Sequence, residues 1–173
     1  EAELYEKQNK HTEMINALQE GINSVKVAPQ CCMKLADAYL ELGEYEKVYE
    51  YAQKGLLAIT QDQPTVSIGY LYYLSALAMD AERIKARQEG KHIDKDRIQS
   101  ILSAYQTADK LFINEGRMDV SYRSTISAKL IMLEMEEGPL EKSNTPQSVE
   151  TENNSNVDFA GIQRFLEMLE KKK

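Results

Sequence analysis

The side chains best equipped for covalent or metal chemistry are few: two adjacent thiols, Cys31 and Cys32, and two imidazoles, His11 and His92. A vicinal thiol pair could close a disulfide or hold a soft metal. On a helix, however, successive side chains diverge by about 100°, and a bridge between neighbours would strain the backbone. The pair is therefore expected as reduced thiols, with Cys32 turned into an apolar interior. No two Cys or His residues fall at a metal-binding spacing, and the chain contains neither a Gly-rich phosphate loop nor a G-x-S-x-G nucleophile elbow. Carboxylates are plentiful, 28 Asp and Glu in all, but they are scattered as solvating charges; Glu50 with Lys54 is an ordinary i, i+4 helix pair. The expectation is no enzyme, no catalytic residue, no cofactor and no metal.

What remains to position is an array of helices. The chain has 173 residues, 42% of them hydrophobic, with only 8 Gly and 4 Pro, enough for about one domain with a continuous core. Strand-like alternation is absent. No apolar run reaches the length of about 18 residues that a membrane span needs, and no charged-then-apolar leader opens the chain, so the expected location is cytoplasmic, without a membrane. A net charge of -7 would repel a nucleic-acid backbone, which argues against nucleic acid as a partner.

The segment "KLADAYLELGEYEKVYEYAQKGLLAI", residues 34–59, reads as two amphipathic helices folded back at Gly43. Sliding the chain against itself by 34 residues sets "QEGINSV" on "QKGLLAI", with Gly21 on Gly55, Ile22 on Leu56 and Val25 on Ile59. The same shift sets Tyr5 on Tyr39, His11 on Tyr45 and Asn9 on Gly43, and Asn and Gly both tolerate the left-handed conformation that ends a helix. The pairing of His11 with Tyr45 gives the histidine a packing role.

With Leu35, Ala36, Tyr39, Gly43, Tyr45 and Leu56 at its signature places, residues 32–59 resemble a tetratricopeptide repeat, a hairpin of two helices with a period of about 34 residues. The resemblance departs from the family at Cys32, Val48, Ala52 and Gly55, all small or apolar. It implies an all-α fold, a right-handed superhelical array of antiparallel hairpins. Residues 1–138 form the repeat domain: a partial repeat at 1–27, a repeat at 28–63, an elongated repeat at 64–116 and a last helix at 117–138. A flexible linker, rich in Ser, Thr, Asn and Glu, follows at 139–156. Residues 157–173 form a C-terminal amphipathic helix whose stripe of Phe159, Ile162, Phe165, Leu166 and Leu169 is expected to cap the array. That helix is also the expected contact if the protein is a homo-oligomer. The truncated first repeat and the initial Glu suggest a piece of a longer protein.

The step from Gly55 to Ala108 is 53 residues, 19 more than the period, so both helices of the third hairpin are expected to be long, turning near Gly90 with Asp94 or Asp96 as a cap. Six Lys or Arg against four Asp or Glu make residues 82–97 mildly basic.

In the family, the first helix of each hairpin lines a concave groove. Carried over place by place, the resemblance implies a groove of Gln30, Met33, Asp37, Leu40 and Glu41 from the second unit and Tyr72, Ala76, Met79 and Asp80 from the third. Met and Tyr suit a surface that receives a peptide or a helix. Met33 and Asp37 stand where chaperone-tail-clamping relatives carry basic or amide residues, and Asp37, Glu41 and Asp80 would repel an acidic tail. The function implied is a non-enzymatic module that binds a protein or peptide. The alternatives are a peptide-sensing regulatory domain of a larger signalling protein or transcription regulator, or a secretion chaperone of the same repeat type. If Asp37 and Asp80 both line a groove, reversing both to Lys should change partner affinity while leaving the melting temperature nearly unchanged.

Overall fold

The computed structural model describes residues 11–24, 28–59, 66–116 and 120–137, and among these every regular element is a helix. They are α1 (His11–Gly21), α2 (Ala28–Glu41), α3 (Tyr45–Ala58), α4 (Ile68–Gln88), α5 (Lys95–Asn114) and α6 (Val120–Glu137). The chain divides into two units, Glu1–Leu140 and Glu141–Lys173. All the described residues belong to the first unit, so the expected linker and C-terminal helix, like Tyr5 and Asn9, lie outside them.

Two turns have one local cause. Gly43 and Gly90 both adopt φ +71°, a left-handed conformation, and a Cβ at either would meet nothing within 4 Å. In each case the glycine N–H and the next N–H return to the helix just ended: Gly43 to Leu40 and Glu44 to Tyr39, Gly90 to Arg87 and Lys91 to Ala86. These paired bonds satisfy carbonyls that would otherwise be orphaned at the helix end. The chain then reverses, so α3 returns along α2 and α5 along α4, and the second pair is the longer, at 21 and 20 residues. Asp94 holds the N-cap position of α5, but its side chain makes no cap hydrogen bond.

Each helix packs on the next in sequence, and α2 also reaches α4. Two apolar cores result. The first gathers Met14 and Leu18 of α1, Leu35 and Tyr39 of α2, Val48 and Leu56 of α3, and Leu71 and Leu74 of α4. The second gathers Tyr73, Ala76 and Met79 of α4, Ile101, Tyr105 and Phe112 of α5, and Ile126 and Leu133 of α6. Burying one large apolar side chain contributes roughly 1.5–3 kcal/mol, so α4, which supplies both cores, joins them energetically. Cys32 is buried beside Gly55, whose Cβ position lies 3.3 Å from it, while Gly21 approaches Cys31 on the other flank of α2. Both cysteines are free thiols, and burial pushes the Cys32 thiol up to about 11. Two expected packing residues differ: Tyr45 is 37% exposed, and His11 is also on the surface, its ring 4.0 Å from the Glu41 carboxylate. Both open or flank a helix at its outer edge, where neither core reaches.

The first turn of α4 is fastened to the last turn of α5. Ser67 caps α4 by accepting from the Tyr70 N–H at 3.0 Å, and its hydroxyl donates to Glu115 Oε2 at 2.6 Å. The other Glu115 oxygen accepts from the Gly69 N–H at 3.0 Å, placing a carboxylate at a helix N-terminus where the dipole favours it. Gly69 has no room for a side chain there, since a Cβ would lie 3.1 Å from the Phe112 backbone nitrogen. Glu115→Ala removes both bonds and should lower unfolding free energy by about 1–2 kcal/mol in a denaturant titration. An unchanged midpoint would mean that this clamp does not hold α4.

Candidate binding surface

From Ala28 to Leu40, every residue of α2 is at least half-buried. Leu35, Ala36 and Tyr39 fill the first core and Cys32 is buried on the same side, whereas Gln30, Met33, Lys34, Asp37 and Glu41 recur at three- and four-residue spacing on the opposite face. Met33 and Leu40 still pack against the core from this side. The five groove residues expected on α2 therefore lie together on or beside one face.

On α4 the expected set does not share that face. Ala76, Met79 and Asp80 are buried and point toward α5 and α6. Tyr72 is half-buried in surroundings it shares with Tyr49, Glu82 and Arg97, on the α3 and α5 side. The half-exposed face of α4 is instead Tyr70, Leu77, Ala81 and Ile84. Helix α4 begins 40 residues after α2, and the expected set was placed with a step of 39. One residue of slip turns the assignment by about 100° about the helix axis. With the step of 40, Gln30, Asp37 and Glu41 of α2 correspond to Tyr70, Leu77 and Ala81 of α4.

A hydrogen bond joins the two faces: the Tyr70 hydroxyl donates to Asp37 Oδ1 at 2.7 Å. Burial, and then the Asp37 carboxylate, push the Tyr70 hydroxyl well above its ordinary pKa, so it stays a proton donor. Its ring packs edge-on against Tyr122 of α6 at 5.4 Å between centroids and stacks on Tyr73 at 6.1 Å. Tyr122 in turn stacks on Phe112 of α5 at 5.7 Å. Such aromatic pairs contribute about 0.5–1.5 kcal/mol beyond their area, so Tyr70 is held rigidly between α2 and α6.

Asp80 has a different task from Asp37. Its side chain is 2% exposed and so is that of Arg83, whose Nε lies 2.9 Å from Asp80 Oδ1. Lys129 of α6 reaches Asp80 Oδ2 at 2.9 Å. Arg83 Nη1 continues to Glu136 at 2.7 Å and Glu137 at 3.2 Å, and both carboxylates also meet Arg87 at 3.1 Å. Three cations and three carboxylates thus alternate across the α4–α6 contact. A charge this deep is tolerable only because its partners surround it. Four of the six Lys and Arg in residues 82–97 are held in ion pairs, Arg83 and Arg87 on Glu136 and Glu137, Lys91 on Glu89 and Arg97 on Glu82 at 2.5 Å. No sequence spacing announces a pair 49 residues apart; the only local trace was Asp80 and Arg83 at i, i+3.

Among the described residues no cluster of three His, Cys, Asp or Glu side chains is arranged to hold a metal, and no helix is long and apolar enough to cross a membrane. Compared with known proteins, the chain matches no family model, no curated protein and no solved structure. The tetratricopeptide resemblance therefore rests on the chain's own residues.

The charge-reversal expectation for Asp80 is overturned by its burial. Asp80→Ala takes from Lys129 its buried partner, leaves Arg83 only the Glu136 and Glu137 carboxylates, and should cost about 3 kcal/mol or more, whereas Asp37→Ala, which removes the part-buried hydrogen bond from Tyr70, should cost about 1 kcal/mol. Thermal or denaturant unfolding of the two variants checks the order. An Asp80 variant no less stable than the Asp37 variant would contradict the assigned roles.

Proposed function

We propose that the chain is a non-enzymatic protein-interaction module of tetratricopeptide type, whose hairpins stack into an array and take a peptide or helix along the shared face of α2 and α4. One observation carries the reading: Met33 and Asp37 on α2 and Tyr70, Leu77, Ala81 and Ile84 on α4 are partly buried, Glu41 beside them is exposed, and the Asp37–Tyr70 bond links the two faces. Apolar and aromatic side chains held rigidly, with polar groups at intervals, favour capture of a partner segment because little ordering is left to oppose binding. The sequential packing of the helices, with α2 reaching α4, supports the array. The glycine-ended turns at Gly43 and Gly90 support hairpins as its units.

Relative to the resemblance, the surface keeps Gln30, Met33, Asp37, Leu40 and Glu41 and exchanges Tyr72, Ala76, Met79 and Asp80 for Tyr70, Leu77, Ala81 and Ile84. Peptides selected from a displayed random library against the whole chain provide the probe. In titration calorimetry their affinity should fall at least about tenfold for Met33→Glu combined with Ile84→Glu, and hold for Glu46→Lys on the exposed side of α3. Selected peptides that bind both variants as tightly as the parent chain would retire this surface.

A further inference from the structure

Helix α6 is held differently from the helix before it. Between residues 121 and 137 only Ile126 and Leu133 are buried, against seven residues of α5. Ion pairs supply much of the remaining attachment. Near one end Arg123 meets Asp109 of α5 at 2.8 Å, in the middle Lys129 meets Asp80 at 2.9 Å, and at the other end Glu136 and Glu137 take Arg83 and Arg87. These charges differ in their access to water. Asp80 and Arg83 are sealed from it, yet both belong to α4 and pair with each other at i, i+3. By contrast Arg87, Asp109 and the α6 side chains Arg123, Lys129, Glu136 and Glu137 are between 20% and 50% exposed.

We propose that α6 is an ionic latch: raised ionic strength releases it as a unit while α2 to α5 stay folded, and lowered ionic strength seats it again. Screening acts on charges that reach water and much less on sealed ones, so salt weakens the pairs between α6 and its neighbours before it touches the pair within α4. Departure of α6 also strands no charge. Asp80 and Arg83 keep each other, and the other members of the network pass into water, so the penalty for an unpaired buried ion does not arise. The apolar contact given up is confined to Ile126 and Leu133 with the half-buried Tyr122 and Leu130. Gly116, left-handed at φ +68°, ends α5 and separates α6 from it as a cooperative unit. Release uncovers Tyr73 and Phe112, whose rings Tyr122 meets at 5.3 and 5.7 Å, and takes from Tyr70 its edge contact with the same ring. The latch thus governs both the aromatic face between α4 and α5 and the support of Tyr70.

Residue-resolved hydrogen exchange of the whole 173-residue chain tests this between about 0.01 and 1 M sodium chloride, which shortens the screening length from about 30 Å to about 3 Å. Amides of α6 should exchange at least about tenfold faster at high salt and recover on dilution, while those of α4 and α5 change by less than about twofold. Glu136→Gln combined with Glu137→Gln should give fast α6 exchange already at low salt and remove most of the salt dependence, whereas Glu134→Gln, on the exposed side of the helix, should change neither. Charge reversal at the other end supplies an independent check. Asp109→Lys should speed α6 exchange by about threefold or more at low salt, and adding Arg123→Glu, which re-forms the pair with its signs exchanged, should restore it. Circular dichroism verifies that every variant stays helical. Exchange in α6 that is indifferent to salt overturns the proposal. So does a salt response shared equally by α4 and α5, or a reversed pair that fails to restore protection.

Discussion

The constraint on which this structure depends is that α4 closes two cores at once. Leu71, Leu74 and Ala78 close the first core and Tyr73, Ala76 and Met79 close the second. Its N-terminus is clamped by Glu115, and near its other end Arg83 and Arg87 are held by the carboxylates of α6. The remaining face, Tyr70, Leu77, Ala81 and Ile84, is the half-buried strip proposed to take a partner. A helix packed this fully cannot rotate or slide without breaking contacts in both cores, so the strip is presented in one register.

The polar groups divide the labour. Buried charges at Asp80 and Arg83 orient α6 rather than adding greatly to stability, because their removal from water offsets much of their attraction. That orientation brings Tyr122 onto Phe112 and Tyr70, and Tyr70 in turn reaches Asp37. A chain of contacts thus runs from α6 through α4 to α2, alternating ion pairs, rings and one hydrogen bond. It explains how a surface built from two helices can depend on a third that contributes no residue to it.

Much of the helical frame was legible in the sequence because its causes are local. Gly43 and Gly90 mark the turns through their backbone freedom, and the apolar spacing of α2 and α3 names Cys32, Leu35, Tyr39, Val48 and Leu56 as interior. The face of α4 was not legible, because α4 begins 40 residues after α2 rather than one period of about 34, and a slip from 40 residues to 39 exchanges Leu77 and Ala81 for Ala76 and Asp80. Asp80 and Glu115 share a further reason: their partners lie 49 and up to 48 residues away in sequence, and no spacing encodes such a meeting. His11 and Tyr45 each open a helix, α1 and α3, yet both lie on the surface, since a match in sequence position carries no information on burial.

The central claim, that one fully packed helix holds two cores and the strip proposed for binding in register, is tested most directly by native-state hydrogen exchange resolved by residue. The account predicts that amides of α4, at Leu71–Ala78 above all, open only with global unfolding, while protection declines outward through α2 and α5 to α1 and α6. If α4 exchanged as readily as α1, or if the regions on either side of it opened independently while it remained unprotected, the two cores would not share a common support and the account would fail.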